Sequence, residues 1–129
     1  MNLKIRVDAS KVIISLVCIL VLDTLWLTLS RQLYSIEDAK IYYGFIAWVS
    51  LAFAISCGNP SSFTEAYTYG AFIGFVSYAT FNGTELAIHS SWRHPYYKSI
   101  VDMCWGTFAC SITSAMLYKF YKFPKAGIK

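Results

Sequence analysis

The chain has 129 residues, of which 57% are hydrophobic and only 14% are charged. In soluble domains about a quarter of the residues are charged, so this composition excludes an ordinary soluble domain and indicates an integral membrane protein. The net charge of +4 is spread over short flanks, which is typical of a topology signal and not of a nucleic-acid-binding surface. The length suits a single domain, residues 1–129, because each spanning helix needs about 20 mostly apolar residues.

Four apolar segments follow one another and predict an all-α bundle of four transmembrane helices. The first, at about 12–29, is longer than the core of a signal peptide, so we expect it to be retained. The second, at about 41–57, begins with Tyr42, Tyr43 and Trp48, which indicate an entry through the membrane interface. The third and fourth, at about 67–88 and 100–120, flank a loop rich in aromatic and basic residues.

Lysine and arginine are distributed unevenly between the two sides of this predicted bundle. The N-terminal head, the second loop and the tail hold seven of them, whereas the first and third loops hold four. Cytoplasmic segments carry the excess of positive charge, so both termini are predicted to be cytoplasmic. The lipid bilayer is then the main partner, in a cell membrane or, since the abundance of Tyr, Phe, Ile and Lys suits a viral copy, in an internal virion membrane.

Small residues mark one face of the third segment. Gly70 and Gly74 form a GxxxG pair, and Ser77 continues the same face. Small side chains let helix backbones approach closely, which matters in lipid because there is little hydrophobic drive for helices to associate. Together with Gly106 in the fourth segment, these residues are the predicted helix-packing positions.

Carboxylates interrupt three of the apolar segments. An ionised side chain in hydrocarbon costs at least about 2.5 kcal/mol, so such residues usually face a bundle interior, a partner or a water-filled cavity. Segment order and helical rise place all three acids in the outer half of the bilayer, so we expect one polar cluster. Its predicted members are Asp23, Trp26, Tyr78, Asn82, Glu85, Asp102 and Trp105.

Two other roles are open to these polar residues, namely hydrogen bonding between helices and metal binding. Asp23 and Asp102 could be neutral acids that hydrogen-bond to neighbouring helices, because a protonated carboxyl group both donates and accepts. His89 and His94 could form a metal site with Asp102, but a histidine at the interface is more often solvated, so we predict no metal and no cofactor. The four cysteines lie inside apolar runs and are expected to be packing residues.

The order of these motifs resembles a known family. Asp23-x-x-Trp26, Tyr78-x-Thr80-x-x-x-Thr84-x-x-Ala87 and Val101-Asp102-x-x-Trp105-Gly106-Thr107 cover most of the chain and look like small predicted membrane proteins of unknown function, found in bacteria and in large DNA viruses of algae and protists. The resemblance implies a four-helix membrane fold and no activity. Where that family usually has Tyr-Asp-Leu-Thr-Asn, residues 81–85 are Phe-Asn-Gly-Thr-Glu, so one acid is displaced by three positions.

Three classes of function remain. A structural or interaction component of a cellular or virion membrane would present its loops and basic tail to membrane proteins, capsid proteins or further copies of itself. A proton- or cation-coupled transporter or channel would use the carboxylates as a relay, although four helices seldom enclose a path without oligomerising. A lipid-modifying enzyme, or an accessory to one, would use the acids and His89 as acid/base groups near the depth of the lipid headgroups, but no nucleophile or metal motif supports it. We therefore favour the first class over an enzyme.

Overall fold

The computed structural model describes residues 7–31, 41–88 and 96–121, and four α-helices account for nearly all of them. The helices are α1 (Ala9–Leu29), α2 (Ile41–Ser56), α3 (Phe63–Ile88) and α4 (Tyr96–Phe120). This architecture confirms the predicted all-α bundle, and the described ranges contain no β-strand. By length and composition, α1 and α4 are able to cross a bilayer, while α2 is apolar but has only 16 residues.

Three helices begin earlier than their apolar segments do, and caps explain two of these starts. The Asp8 carboxylate accepts a hydrogen bond from the backbone N–H of Ser10 at 2.9 Å, which caps α1. At α3, the Ser62 hydroxyl accepts from the N–H of Glu65 at 3.1 Å, and the Glu65 carboxylate accepts from the N–H of Ser61 at 2.8 Å. Hydropathy marks only the apolar part of a helix, whereas polar caps mark its first turn.

The helices alternate in direction around the bundle. After α4, the Tyr121 hydroxyl donates to Asp8 at 2.7 Å, whereas within α4 Trp105 donates to Asp23 of α1 at 3.0 Å, so α1 and α4 are antiparallel. The most extensive interface lies between α3 and α4, and α1 contacts both α2 and α4. The chain thus forms an up-down-up-down bundle in which α1 and α3 are diagonally opposed.

The interior of the bundle is narrow, and most large apolar side chains lie on its outside. The buried hydrophobic cluster contains Ile19, Ala52, Ile55, Cys110 and Leu117. Exposed apolar residues follow the outer faces of all four helices and include Val17, Val21, Phe45, Ile46, Phe72, Phe75, Ile100 and Phe108. An apolar surface of this extent favours lipid surroundings, because soluble proteins rarely expose contiguous apolar patches of such size.

The ends of α1 and α4 are joined outside their apolar parts. The hydrogen bond from the Tyr121 hydroxyl holds the pKa of Asp8 below its usual value, and the N–H of Ser10 acts in the same direction. The same bond raises the pKa of Tyr121. The Lys11 ammonium lies 5.2 Å from the centre of the Tyr121 ring, within the range of a cation–π contact. This end of the bundle therefore contains a small polar contact that is separate from the predicted polar cluster.

Candidate functional site

Asp23 is a buried acid of α1 that accepts hydrogen bonds from two other helices. Its side chain is 7% exposed and accepts two hydrogen bonds, from Trp48 Nε1 to Oδ2 at 2.6 Å and from Trp105 Nε1 to Oδ1 at 3.0 Å. An indole nitrogen only donates, so both oxygens of the carboxyl group act as acceptors. Because the three residues lie on α1, α2 and α4, one carboxyl group connects three helices.

Asp102 brings the remaining helix into the same region. The Asn82 side-chain amide of α3 donates to Asp102 Oδ2 at 2.8 Å and to the backbone carbonyl of Tyr78 at 2.9 Å, which uses both amide hydrogens. Asn82 is 7% exposed. Asp102 precedes Trp105 by one turn of α4, so the carboxyl groups of Asp23 and Asp102 belong to adjoining hydrogen-bond systems. The Oδ1 atom of Asp102 has no hydrogen-bond partner within the described ranges.

Trp26 and Trp105 each follow an aspartate by three residues, but neither donates its N–H to that aspartate. Trp105 donates to Asp23 of the neighbouring helix and not to Asp102. Trp26 stacks on Trp105 with ring centres 4.8 Å apart and ring planes within 7° of parallel. The centre of the Phe108 ring lies 5.8 Å from the centre of the Trp105 ring, and the two rings are tilted against each other. These contacts hold the Trp105 indole in the orientation from which its N–H reaches Asp23.

Trp48 belongs to this polar cluster, although its sequence position suggested an interfacial anchor. It lies about two turns inside α2 and is half-buried, with its N–H directed to Asp23. At 1.5 Å per residue, seven positions from the start of the helix correspond to about 10 Å of depth. That depth is the signal that could have distinguished Trp48 from Tyr42 and Tyr43, which lie at the first turn and are exposed.

The other predicted members of the cluster lie on α3. The Tyr78 ring packs over Gly106, where a methyl group would overlap the ring. Glu85 is half-buried and lies nearly one turn beyond Asn82, past the hydrogen bond that joins Asn82 to Asp102. His89 and His94, which the metal alternative requires, lie outside the described residues.

Two rows of residues spaced four apart form the interface between α3 and α4. A methyl group on Gly74 would collide with the carbonyl oxygen of Gly106, and one on Gly70 would collide with the carbonyl oxygen of Cys110. The backbones of the two helices therefore lie in direct contact, as small residues permit. The row on α3 is Gly70, Gly74, Tyr78 and Asn82, and the facing row on α4 is Asp102, Gly106, Cys110 and Ser114.

A pocket of about 450 Å³ opens beside Asp102, between α2 and α3. Ser77, which the sequence placed on the packing face of α3, lines this pocket. The remaining lining residues are Gly44, Ala47, Trp48, Ser50, Leu51, Ala54, Tyr78, Phe81 and Asp102. The polar cluster thus has one part enclosed by helices, around Asp23, and one part that is open to a cavity, at Asp102.

Comparison with known proteins identifies the family to which this bundle belongs. Residues 9–119 match a family model described as a predicted membrane protein, DUF2177. The chain belongs to the DUF2177 family. This match confirms the family resemblance that the motifs predicted, and the described polar cluster lies entirely within the matched region. No curated protein and no solved structure matches the chain.

Proposed function

We propose that this DUF2177 protein is a multi-pass membrane protein with a structural role, in which four spanning helices form a rigid unit of a cellular or virion membrane assembly. The observation that carries the proposal is the pair of indole N–H groups from α2 and α4 that bind both oxygens of Asp23. Both acceptor atoms are occupied in holding helices together. A carboxyl group that relays protons or ions must instead exchange partners with water or with the transported species.

The packing of α3 against α4 supports the same proposal. Transport by alternating access requires one group of helices to move against another. Gly70 and Gly74 bring the α3 backbone into contact with the α4 backbone, and the amide of Asn82 is bonded across the same interface. Movement along this interface would separate these contacts, so the arrangement favours a single conformation. A rigid bundle is suited to presenting its ends to membrane proteins, capsid proteins or further copies of the same chain.

Proton or cation transport is the second candidate, and two observations favour it. Asp102 lines the open pocket, where a mobile group could reach its Oδ1 atom. Fully buried hydroxyl groups also lie inside the bundle: Ser15 and Ser56 are 3.4 Å apart, and Thr113 Oγ1 has no hydrogen-bond partner within the described ranges. A hydroxyl group both donates and accepts, so these groups could extend a relay whose ionisable member is Asp102.

Proteoliposomes with an internal pH-sensitive dye would test the two functions directly. The structural role predicts no proton flux above that of empty vesicles under an imposed pH gradient and membrane potential. Flux that Asp102→Asn abolishes and Glu65→Gln preserves would replace the structural role with transport, since Glu65 lies at the other end of the bundle. Cross-linking in the native membrane, followed by mild extraction, is expected to recover stable complexes with itself or with other proteins.

A further inference from the structure

Two pockets of similar size open on the sides of the bundle, and their linings differ in chemistry. The pocket between α2 and α3, of about 450 Å³, contains Asp102 and the rings of Trp48, Tyr78 and Phe81. The pocket between α3 and α4, of about 460 Å³, has no acidic side chain among its described lining residues. The first therefore combines a carboxyl group with aromatic rings, and the second provides a natural comparison for it.

Asp102 has no counter-ion from the helices that form its pocket. One carboxyl oxygen accepts from Asn82, and the other has no hydrogen-bond partner within the described ranges. Neither α2 nor α3 contains a lysine or an arginine. Lys98 lies one turn before Asp102 on α4, and within the described residues the two form no ion pair. A carboxylate in apolar surroundings is costly unless it is paired, so a cation that enters the pocket would find an oxygen already oriented by Asn82.

The remainder of the lining favours a cation that is attached to a hydrocarbon body. Aromatic rings attract ammonium groups through their negative faces, and groups of such rings recognise methylated amines. Away from Asp102, the α2 side of the pocket is formed by small and apolar residues, including Ala47, Leu51 and Ala54. Ala47 and Phe81 are exposed on the outer surface of the bundle, so the pocket opens on the side that faces lipid.

We propose that this pocket is a binding site for a lipophilic amine, with the ammonium group at Asp102 Oδ1 among Trp48, Tyr78 and Phe81 and the hydrocarbon along α2. The volume lies within the range of small-molecule pockets, about 300 to 1,000 Å³. A zwitterionic phospholipid fits less well, because its phosphate would bring a second negative charge close to the carboxylate. The site does not depend on the proposed structural role, since a rigid bundle and a transporter could each carry it.

Equilibrium binding of radiolabelled dodecyltrimethylammonium to the full-length protein in phosphatidylcholine nanodiscs would test the site. We expect saturable binding above that of empty nanodiscs. We also expect that 2,2-dimethyltetradecane, which has a carbon in place of the nitrogen, does not compete at equal concentration. Asp102→Asn removes the charge and keeps an oxygen for Asn82, and it is expected to weaken binding by about tenfold or more.

A matched pair of substitutions separates this pocket from general partitioning into lipid. Ala47→Leu fills the α2–α3 pocket away from the Asp102 hydrogen bond and should abolish saturable binding, whereas Ala71→Leu makes the same change in the α3–α4 pocket and should preserve it. Wild-type affinity in Asp102→Asn or in Ala47→Leu would overturn the proposal, as would effective competition by the uncharged hydrocarbon. If Asp102→Asn does not fold, the alanine pair and the uncharged competitor still decide the question.

Discussion

Tryptophan supplies both hydrogen bonds to Asp23, and this choice of donor has a consequence for substitutions. An indole N–H cannot act as an acceptor, so any group that replaces a carboxyl oxygen must itself accept. Asp102 is different, because Asn82 occupies one oxygen and the carboxyl group lines a pocket. The two acids therefore differ in their tolerance of an amide, although they lie near the same end of the bundle.

Asp23→Asn is expected to destabilise the bundle more than Asp102→Asn does. In Asp23→Asn, the new NH₂ group must face an indole N–H, and this loss of a hydrogen bond costs about 1 to 3 kcal/mol in a buried site. In Asp102→Asn, the amide oxygen can still accept from Asn82 while the NH₂ group turns toward the pocket. Thermal or denaturant-induced unfolding in detergent would measure both, and equal losses would contradict the described arrangement.

A second substitution provides the control for this comparison. Trp48→Phe removes the donor that would oppose the new NH₂ group, so Asp23→Asn should cost less free energy of unfolding in the Trp48→Phe protein than in the wild type. Direct neighbours in one network typically show coupling energies of about 0.5 to 3 kcal/mol. Strictly additive losses would mean that Trp48 and Asp23 are not bonded in the membrane protein.

Tyr121→Phe should raise the pKa of Asp8 toward its ordinary value, because the Tyr121 hydroxyl is the main cause of the lowered value. A lowered carboxyl pKa contributes stability above the ordinary pKa, and this contribution disappears as the pH falls through the folded-state value. The hydrogen bond from Ser10 remains, so the change should be partial. NMR titration of the labelled aspartate carboxyl carbon would measure it, and an unchanged Asp8 pKa would show that the contact does not form.

The α3–α4 interface shows which helix contacts the sequence pattern predicts and which it does not. The spacing of Gly70 and Gly74 predicted a close helix contact, and the structure shows them against the α4 backbone. The sequence analysis assigned Tyr78 and Asn82 to the polar cluster and not to the packing face, whereas all four residues form one row against α4. Helices pack along rows of residues four apart, and the row that is used depends on the partner helix. A single helix sequence does not contain that information.

Gly74→Ala is expected to destabilise the bundle, whereas Gly83→Ala should be neutral or stabilising. A methyl group on Gly74 would overlap the carbonyl oxygen of Gly106, and backbone atoms cannot move aside without separating the helices, at a typical cost of about 1 to 3 kcal/mol. Gly83 lies on the same helix with open space around it, and Ala is favoured over Gly inside helices by about 1 kcal/mol.

The free energy of unfolding of the two variants, measured in the same detergent, makes the comparison internally controlled. Both substitutions add one methyl group to α3, so a general effect of alanine on the helix cancels. Similar stability of the two proteins would mean that α3 and α4 do not touch through Gly74.

The amino-acid composition predicts the helical architecture of the molecule, but it does not predict the polar contacts between the helices. Apolar segments of sufficient length predict four helices, and short connections predict antiparallel neighbours. The distribution of charge predicts an orientation, but a bundle without its bilayer has the same internal contacts in either orientation. Trp48 shows the corresponding limit for the polar cluster: its donor role depends on where α1 places Asp23, and no pattern within α2 specifies that position.

The orientation of the bundle in the membrane can be tested at its two ends. Arg31 and Asn59 lie at opposite ends of the bundle and are both exposed. In a cysteine-free protein, Asn59→Cys should react with an impermeant thiol reagent from the cytoplasmic side, and Arg31→Cys should react from the other side, because the positive charge predicts cytoplasmic termini. Labelling in intact cells and in inverted vesicles would measure this, and the reverse pattern would invert the bundle.

The two hydrogen bonds to Asp23 can form only one after the other during synthesis, because Trp48 is translated before Trp105. Trp48 follows Asp23 by 25 residues, whereas Trp105 follows it by 82. During synthesis α1 and α2 are thus able to enter the membrane as a hairpin that already shelters one oxygen of the acid. The second oxygen gains its donor, Trp105, only when α4 has been made. A nascent chain that stops before α4 therefore has an Asp23 carboxyl group with only one of its two tryptophan donors, and the last helix completes this contact.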